Sequence, residues 1–515
     1  MKLYFTSNLP TLACCVCTLA SLTSAIANEP PVANPEEMYR PGVIPDRIIL
    51  TWTGDPATTQ AVTWRTSTDV PQGKAEIAVA GAEPDFMKDA VTVAATSQAL
   101  LTDLSTAHFH TVRFKDLKPA TKYAYRVGDG RNWSEWFHFT TASQDAAPLT
   151  FVYFGDAQNN LRSMWSRVIR EAYGDAPDLD FFLHAGDLVN SAESDREWGE
   201  WFGAGAWVNG MVPSIAVPGN HEQASSGDGR RLSHHWRPSF AFPQNGPAGL
   251  EESCYTIVIQ GVRIIALNSN QQMQDQTKWL EGILEKNREK WVIVTFHHPI
   301  YSTGNGRDNA SMRGQWKPLF DRFHVDLVLQ GHDHTYGRTG LETPLVGPDG
   351  NELDEQNQPG GVNARDQKTG TVYVVSVSGP KMYTMQRFPF MPRQAEYTQL
   401  YQIIRVDGDE LKYESRTAVG EVYDAFTLKK QEGRINQLID QTPGTPERQK
   451  PAAMIAAEIK SKVTSYMKKY DKNEDGKVTL EELPNSEHAA FRIADTDQNG
   501  ELLPEELTKK LEARL

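Results

Sequence analysis

Cysteine is scarce in this chain, and most of it lies at one end. Cys14, Cys15 and Cys17 stand close together near the start, and Cys254 is the only other cysteine among the 515 residues. If the first residues are removed during export, the mature protein cannot form an internal disulfide bond. We therefore expect its stability to come from a packed core and from bound metal ions.

The sequence also lacks an excess of positive charge and, after its first residues, any apolar run long enough to cross a bilayer. The formal net charge is -14, which argues against electrostatic binding of nucleic acid or of an anionic membrane. Hydrophobic residues make up 39% and charged residues 23% of the chain, as is typical of a soluble globular protein. A length of 515 residues allows two or three domains.

The first residues have the pattern of a secretory signal peptide. Lys2 supplies a positive start, Leu12 to Leu22 an apolar run, and Ala25-Ile26-Ala27 a small-residue cleavage site. We predict a signal peptide over residues 1–27 and an exported protein, either periplasmic or secreted, that does not contact the membrane after cleavage. Two alternatives stay open. One is an uncleaved anchor, which the short run disfavours, and the other is a lipoprotein attached through Cys14.

The rest of the chain divides into segments that differ in composition and in hydrophobic pattern. A Pro- and Glu-rich linker at 28–45 precedes short strands with Thr, Val and Tyr enrichment at 46–143, which predict a β-sandwich of immunoglobulin or fibronectin type. From 148 to 430 apolar strands alternate with helical stretches, which predicts α/β layers. Pro and Gly residues at 431–451 indicate a linker, and a small acidic helical segment follows at 452–515. The predicted fold class is therefore multidomain.

Five short motifs stand at predicted strand ends of the central segment. They are Gly155-Asp156-Ala157-Gln158, Gly186-Asp187-Leu188-Val189-Asn190, Gly219-Asn220-His221-Glu222, His297-His298-Pro299 and Gly331-His332-Asp333-His334. Each motif alone is a weak signal, because Gly-Asp pairs are common at turns and a lone histidine is usually structural. Together they supply two carboxylates, one amide oxygen and three imidazoles, a ligand set suited to divalent or trivalent metal ions.

These motifs, in this order, resemble the metallophosphoesterase superfamily. With the preceding sandwich, residues 46–430 are similar to the purple acid phosphatase branch. The resemblance implies a fibronectin type III-like N-terminal domain and a catalytic domain with a four-layer α/β sandwich. It also implies a hydrolase of phosphoric esters that acts on small phosphorylated substrates through two metal ions.

Carried over residue by residue, the resemblance assigns roles to the motif side chains. Asp187 would bridge two metal ions, one held also by Asp156 and His334. The other ion would be held also by Asn220, His297 and His332. His221 would bind the substrate and donate a proton, and His298 would take part of the role of histidines that plant enzymes carry farther along the chain.

Two positions depart from the family pattern. Asn190 stands where the purple enzymes have a metal-binding tyrosine, and Gln158 stands where related phosphoesterases often have a histidine ligand. Either amide could fill the vacancy as a ligand, or a water molecule could. Because the tyrosinate ligand is missing, iron, zinc and manganese all remain candidates for the two transition-metal ions.

The predicted reaction is hydrolysis of phosphate monoesters by a hydroxide that the two metal ions activate. Two cations about 3.5–4 Å apart can stabilise both the attacking and the leaving oxygen at phosphorus. A phosphodiesterase with the same metal core is one alternative, and a non-catalytic calcium-dependent binding protein is another. The oligomeric state does not follow from the sequence.

The acidic tail twice matches the calcium-loop template D-x-[DN]-x-[DN]-G-x5-E. Carboxylate and amide oxygens at positions 1, 3 and 5, a backbone carbonyl at position 7 and a glutamate at position 12 are the ligands that calcium requires. We therefore predict a pair of EF-hands. The candidate calcium ligands are Asp471, Asn473, Asp475, Lys477 and Glu482 in the first loop, and Asp495, Asp497, Asn499, Glu501 and Glu506 in the second.

Overall fold

The computed structural model describes residues 33–512 other than 228, 345, 347–348, 350 and 352–369. The predicted signal peptide, the first five residues of the predicted lead-in linker and the candidate lipid-bearing Cys14 lie outside these residues. Within the described part of the chain, no helix combines the length and the apolar character needed to cross a membrane.

The N-terminal domain is a sandwich of two antiparallel four-stranded sheets, ordered β1-β2-β6-β5 and β4-β3-β7-β8. A one-turn helix precedes it in the predicted linker, and Asn34 Oδ1 caps this helix by accepting from Glu36 N at 3.1 Å. Trp64, Tyr125 and Phe139 fill the space between the sheets. The predicted β-sandwich is confirmed. Its elements are α1 Pro35–Met38, β1 Asp46–Thr51, β2 Gln60–Ser67, β3 Lys74–Val79, β4 Val91–Ala94, β5 Thr96–Leu101, β6 Thr106–Phe114, β7 Lys122–Gly128 and β8 Phe137–Thr140.

The central domain alternates strands and helices, as the sequence pattern predicts. Its first half comprises β9 Leu149–Phe154, α2 Ser166–Asp175, β10 Phe181–His184, α3 Asp195–Gly205, β11 Ser214–Ala216, β12 Gln223–Ser226, β13 Gly229–Leu232, α4 Trp236–Ser239, β14 Tyr255–Ile259, β15 Val262–Ala266 and α5 Met273–Glu285. Its second half comprises β16 Trp291–Phe296, α6 Ala310–Arg322, β17 Leu327–Gln330, β18 Tyr336–Arg338, β19 Val372–Val375, β20 Arg393–Ala395, β21 Leu400–Asp407, β22 Glu410–Thr417, β23 Val422–Gln431 and β24 Arg434–Asp440.

Fourteen of these strands form two seven-stranded sheets that pack face to face between outer helices, and β12 and β13 pair in a separate hairpin. The orders of the two large sheets are β11-β10-β9-β21-β22-β23-β24 and β14-β15-β16-β17-β19-β18-β20. Phe151 of the first sheet and Ile264 of the second lie in one shared core. On the far side of the second sheet, Val294 packs with Trp316 and Phe320 of α6. The four-layer α/β sandwich that the resemblance implies is therefore confirmed.

The segment predicted as a linker at 431–451 is more ordered than its Pro and Gly content indicated. Its first part contains β24, which pairs with β23 and extends the sheet beyond residue 430. Its second part is held to the catalytic domain: Arg393 donates to Thr445 O at 2.8 Å, and Lys450 N donates to Glu396 Oε1 at 3.0 Å. A flexible linker would leave these backbone groups to water, whereas here the sheet and its rim satisfy them.

The C-terminal segment folds as a small helical unit. It comprises α7 Ala452–Tyr470, β25 Val478–Thr479, α8 His488–Ala494, β26 Glu501–Leu502 and α9 Pro504–Glu512. Val463 of α7, Val478, Phe491, Leu502 and Leu507 share one buried cluster. This agrees with the predicted small α domain.

A buried ion network joins the sandwich to the catalytic domain. Asp195, the first residue of α3, accepts from Arg47 Nη1 at 2.7 Å and from Arg65 Nη1 at 3.1 Å, and all three side chains are almost completely buried. Burial alone would raise the pKa of Asp195, but the two guanidinium groups hold it below its ordinary value. The carboxylate is therefore charged in the interior, and its charge is neutralised across the domain boundary.

We predict that Asp195→Asn destabilises the protein by about 3–5 kcal/mol, because it leaves two buried arginines without their shared counter-charge. The matched control is Asp85→Asn, which breaks an exposed pair with Lys88 and should cost about 0–1 kcal/mol. The measurement is the midpoint of urea unfolding for both variants. Equal midpoint shifts in the two variants would show that the buried network does not stabilise the domain boundary.

Candidate metal centre

The candidate ligands follow strands that end at the same edge of the two sheets. The strands β9, β10 and β11 are parallel neighbours, and Asp156, Asp187 and Asn220 follow them. In the second sheet β16 and β17 are parallel neighbours, followed by His297 and His332. Ligand sites of α/β sheets form beyond the carboxyl ends of parallel strands.

Close backbone packing at this edge requires glycine. Gly186 has φ +92°, and a Cβ there would lie 2.7 Å from both Gly219 N and His297 Nδ1. At Gly331 a Cβ would lie 2.3 Å from Asp156 Oδ1. The loops that carry the ligands can therefore approach one another only because these two positions have no side chain.

One group of donors surrounds the imidazole of His297. Its Nε2 lies 3.1 Å from Asp187 Oδ2, 3.2 Å from Asn220 Oδ1 and 3.2 Å from His332 Nδ1. Donor atoms of Asp187, His297 and His332 all lie within 4.8 Å of one another. The structure thus brings together the four side chains assigned to one of the two predicted metal ions.

A second group of donors surrounds His334. Its Nε2 lies 3.1 Å from Asp156 Oδ2 and 3.0 Å from Gln158 Nε2, and Gln158 Nε2 also lies 3.0 Å from Asp187 Oδ2. Gln158 is therefore part of the cluster, with its amide between Asp187 and His334. An amide can turn its oxygen to the same place by a half rotation, so Gln158 can serve as an oxygen ligand here.

The cluster fits two metal ions. Asp156 Oδ2 is buried and accepts no hydrogen bond, which is costly unless a cation or donor reaches it. Carboxylate, amide and imidazole donors together suit iron, zinc or manganese. Asp187 Oδ2 lies within 3.1 Å of a donor in each group, so this oxygen lies between the two groups, where a carboxylate could be shared by two ions.

Hydrogen bonds outside the cluster orient the imidazole ligands. His297 Nδ1 lies 2.9 Å from Ala185 O, and His334 Nδ1 lies 2.8 Å from Lys381 O. A carbonyl accepts only from a protonated nitrogen, so in the neutral form of each ring Nε2 has its lone pair toward the cluster. This arrangement is the usual one for metal-binding histidines.

The buried carboxylates make the cluster favourable for positive charge. Although burial alone lowers the pKa of His297, Asp187 and Asp156 raise it to about 10. Burial alone would raise the pKa of Asp156, but His297 and His334 bring it well below its ordinary value. The field of the two carboxylates thus stabilises a cation between them.

His221 lies beside the bridging carboxylate. Its backbone N donates to Asp187 Oδ1 at 2.8 Å, and its Nδ1 lies 2.5 Å from the carbonyl oxygen of Asn190. Because Nδ1 donates to this carbonyl, Nε2 is the ring atom that can exchange a proton with a substrate. The half-buried ring is therefore placed for the predicted catalytic role.

Among the described residues, no hydrogen bond links the side chain of Asn190 to the cluster, so its role as a ligand at the tyrosine position stays a prediction. Its side-chain Nδ2 lies 3.4 Å from Ser191 Oγ, and its backbone N donates to Glu197 Oε2 at 2.7 Å. Glu197 holds this turn so that the carbonyl of Asn190, and not its side chain, contacts a site residue. Asn190 positions His221.

His298 flanks the ligands without entering either group. Its Nδ1 lies 2.8 Å from Ser269 Oγ, and its ring centroid lies 4.2 Å from that of His332. Burial, and then the neighbouring His297, lower the pKa of His298 to about 3. The neutral, half-buried ring of His298 therefore packs against the ring of His332 at the edge of the cluster.

Glu222 is a site residue whose role the sequence did not reveal, although it stands inside one of the five motifs. Its carboxylate accepts backbone N–H groups from Asp187 at 2.9 Å, Gly219 at 2.7 Å and Val189 at 3.1 Å. Burial and the neighbouring Asp187 raise the pKa of Glu222 to about 8. Its full burial and three backbone partners tie the loops of Asp187 and Asn220 together, a relation that only the folded chain displays.

The two predicted calcium loops have the same internal geometry. Asp471 Oδ2 accepts from Gly476 N and Asp495 Oδ2 accepts from Gly500 N, both at 3.0 Å. The loops are joined by antiparallel pairing of β25 with β26. Each loop thus curls its carboxylates around one point, as calcium coordination requires.

The remaining loop residues agree with their template positions. Oxygen atoms of Asp495, Asp497 and Glu506 lie within 4.8 Å of one another. Lys477 and Glu501, both at position 7, pair through their side chains, which leaves their backbone carbonyls for the ion. The connecting helix α8, His488–Ala494, is short, as the close spacing of the loops predicts.

Comparison with known families identifies three parts of the chain. Residues 45–141 match the family of the purple acid phosphatase N-terminal domain, residues 149–336 match the calcineurin-like phosphoesterase family, and residues 464–483 match an EF hand. The predicted resemblance is confirmed. The chain thus contains a domain that matches the calcineurin-like phosphoesterases, preceded by a match to the purple acid phosphatase N-terminal domain and followed by an EF-hand match.

Similar proteins include acid phosphatases of animals and plants. Acid phosphatase type 7 of Danio rerio is 28% identical over 267 residues, which cover 45% of this chain and 57% of the relative. Purple acid phosphatase 21 of Arabidopsis thaliana is 29% identical over 239 residues, covering 44% and 53%. The uncharacterized protein Rv2577 of Mycobacterium tuberculosis is 29% identical, covering 54% and 58%. The chain thus spans a little over half the length of these relatives.

Solved structures share the fold. A purple acid phosphatase from yellow lupin (Lupinus luteus) seeds has a TM-score of 0.61 at 19% identity, covering 76% of this chain and 75% of the lupin chain. PhoD has a TM-score of 0.56 at 13% identity, covering 82% of this chain and 98% of its own.

We predict that Glu222→Gln weakens metal binding by about 10–100-fold, the usual effect of losing a group that supports metal ligands. The amide would turn an N–H group toward backbone N–H donors and loosen the loop of Asp187. The measurement is transition-metal content after dialysis against a graded series of chelator concentrations. Glu193→Gln is the control, because Glu193 pairs with Arg231 at the surface. Retention of metal equal to that of the control would show that Glu222 does not support the centre.

Proposed function

We propose that this metallophosphoesterase hydrolyses phosphate monoesters of small molecules at the cluster described above. The observation that supports this most strongly is the placement of Asp187. Its Oδ2 lies within reach of both donor groups, and its Oδ1 accepts from the backbone of His221. The likeness to acid phosphatases favours monoesters, and small phosphorylated compounds are the proposed substrates.

The residues present fit two metal ions of iron, zinc or manganese. Asp156, Gln158 and His334 would hold one ion, and Asn220, His297 and His332 the other, with Asp187 shared. When bound, such ions lower the pKa of water and neutralise charge that develops on phosphoryl oxygens.

The chain itself supplies orientation and a proton. The Nδ1 bond to the Asn190 carbonyl fixes the ring of His221, so that Nε2 can give a proton to the departing alkoxide. A positioned proton donor of this kind contributes about 10²–10⁴-fold to the rate. Glu222 holds the loops of Asp187 and Asn220 in register, which preserves the spacing of the donors.

A phosphodiesterase is the second candidate within the same class, because the same donor set can serve both reactions. A non-catalytic calcium-dependent binding protein is a weaker alternative, since the bridging carboxylate and His221 are both in place. We also propose that the protein is exported. N-terminal sequencing of the mature protein tests this, with Asn28 as the expected first residue.

We further propose that both loops of the tail are permanently occupied by calcium, which has a structural role. An exported protein is exposed to a calcium-rich medium, and the carboxylates of each loop already surround a point of their own. Calcium in the first loop would hold the residue that follows α7, and calcium in the second loop would hold Glu506 of α9, while the pairing of β25 with β26 couples the two loops.

We predict that phenyl phosphate is hydrolysed faster than diphenyl phosphate. Asp187→Asn should abolish turnover and deplete metal, because it removes the charge shared by both donor groups. His221→Gln should lower kcat by about 10²–10⁴-fold and keep the metal, because it removes only the proton donor. The measurement is steady-state turnover of both esters with metal analysis of each variant.

The outcomes separate the candidates. Faster diester turnover would favour the phosphodiesterase, and no turnover of either ester by the metal-loaded wild type would favour the binding protein. Full activity of Asp187→Asn would contradict the mechanism itself.

We predict that the full chain binds two calcium ions and that Glu482→Gln and Glu506→Gln each remove one, because the position-12 carboxylate supplies two oxygens to the ion. Isothermal titration with calcium measures the stoichiometry. Glu481→Gln, beside the first position-12 residue, is the control and should still bind two ions. Binding of two ions by both position-12 variants would exclude the predicted loops.

A further inference from the structure

A cavity of about 420 Å³ lies between the catalytic domain and the tail. Arg307 and Tyr383 of the catalytic domain line one side. Lys450 of the connecting segment, Lys462 of α7 and Leu511 of α9 line the other. The volume falls within the range of about 300–1,000 Å³ that small-molecule sites have.

This cavity adjoins the metal centre. The guanidinium of Arg307 contacts His332, and its Nε lies 2.6 Å from Asp333 Oδ1. The ring centroid of Tyr383 lies 4.4 Å from that of His334, and Tyr383 N donates to the carbonyl oxygen of His334 at 3.1 Å. Two lining residues therefore contact two candidate metal ligands, so the cavity borders the metal centre.

The tail side of the cavity has a fixed position. The segment before α7 is bonded to the catalytic domain through Glu396, whose Oε1 accepts from Lys450 N at 3.0 Å and whose backbone N donates to Arg448 O at 3.1 Å. In α7 itself, Glu458 pairs with Lys450. The first turns of α7 are thereby anchored beside the metal centre.

The lining combines positive charge with apolar surface. Lys450 and Lys462 share the single carboxylate of Glu458, with Lys462 Nζ 2.9 Å from Glu458 Oε1. Two ammonium groups against one carboxylate leave a net positive charge. Ile459 and Leu511 supply apolar surface beside these groups.

Resting on the proposed phosphoesterase function, we propose that this cavity is the subsite for the leaving group. The favoured substrates are organic phosphate monoesters whose leaving group carries a second anionic group, a carboxylate or another phosphate. The metal centre holds the scissile phosphate, the apolar surface contacts the carbon skeleton, and Lys462 pairs with the distal anion. The tail is then a wall of the active site, and its lysine determines specificity.

The test compares phenyl phosphate with 4-carboxyphenyl phosphate, which carries one additional, distal carboxylate. In the full metal-loaded chain, Lys462→Met should lower kcat/KM for the carboxylated ester about tenfold, through KM, as expected for losing a hydrogen bond between charged groups. It should change kcat/KM for phenyl phosphate less than about twofold, because that ester has no distal carboxylate with which Lys462 could pair. Unchanged phenyl phosphate turnover also reports an intact fold.

A control variant sharpens the result. Lys460→Met places the same substitution on the same helix at an exposed position outside the cavity and should change neither ester.

The outcomes separate this inference from the proposed function. If wild type turns over both esters and Lys462→Met affects them equally or not at all, the subsite is excluded while the phosphoesterase function stands. If the wild type turns over neither ester, the function fails and the subsite fails with it.

Discussion

The shared carboxylate of Asp187 is the constraint on which the site depends. Its Oδ2 faces donors delivered from both sheets, and its Oδ1 fixes the backbone of His221. A carboxylate buried among imidazoles is stable only where positive charge offsets it. The field of Asp187 and Asp156 therefore favours a cation in the cluster, and Glu222 holds the loop that carries Asp187. Loss of this single position would separate the two donor groups.

The two-sheet architecture explains why ligands so distant in sequence meet. Parallel strands of both sheets end at one edge, and glycines at positions 186 and 331 let their loops approach within contact distance. Hydrogen bonds from His297 and His334 to backbone carbonyls then select the ring nitrogen that faces the cluster. The same edge borders the anchored start of α7, so that the fold places the tail beside the centre instead of at a distance from it.

Local patterns were sufficient to predict the domains and the ligand motifs, because those features depend on residues that are close together in the sequence. The glycines before Asp156 and Asp187, and the spacing of the acidic residues in the tail, each reflect a local geometric need. The parts that could not be predicted depend on distant partners. Glu222 acts through the backbone groups of Asp187 and Val189, more than thirty positions away, and the contact of the Asn190 carbonyl with His221 depends on a turn that Glu197 holds. The Pro and Gly residues of 431–451 led to the prediction of a linker. The strand β24 in this segment could not be predicted from them, because it is stabilised by pairing with β23.

Two metal ions are expected at the site, with Asp187 shared between them. The other side chains expected to hold them are Asp156, Gln158, Asn220, His297, His332 and His334. A crystal structure of the purified protein with anomalous diffraction data tests this directly. The account predicts two anomalous peaks about 3.5–4 Å apart, one beside Asp156 and His334 and the other beside Asn220 and His297, with Asp187 in contact with both. Peaks at other residues, or a single ion that Asp187 does not touch, would contradict it.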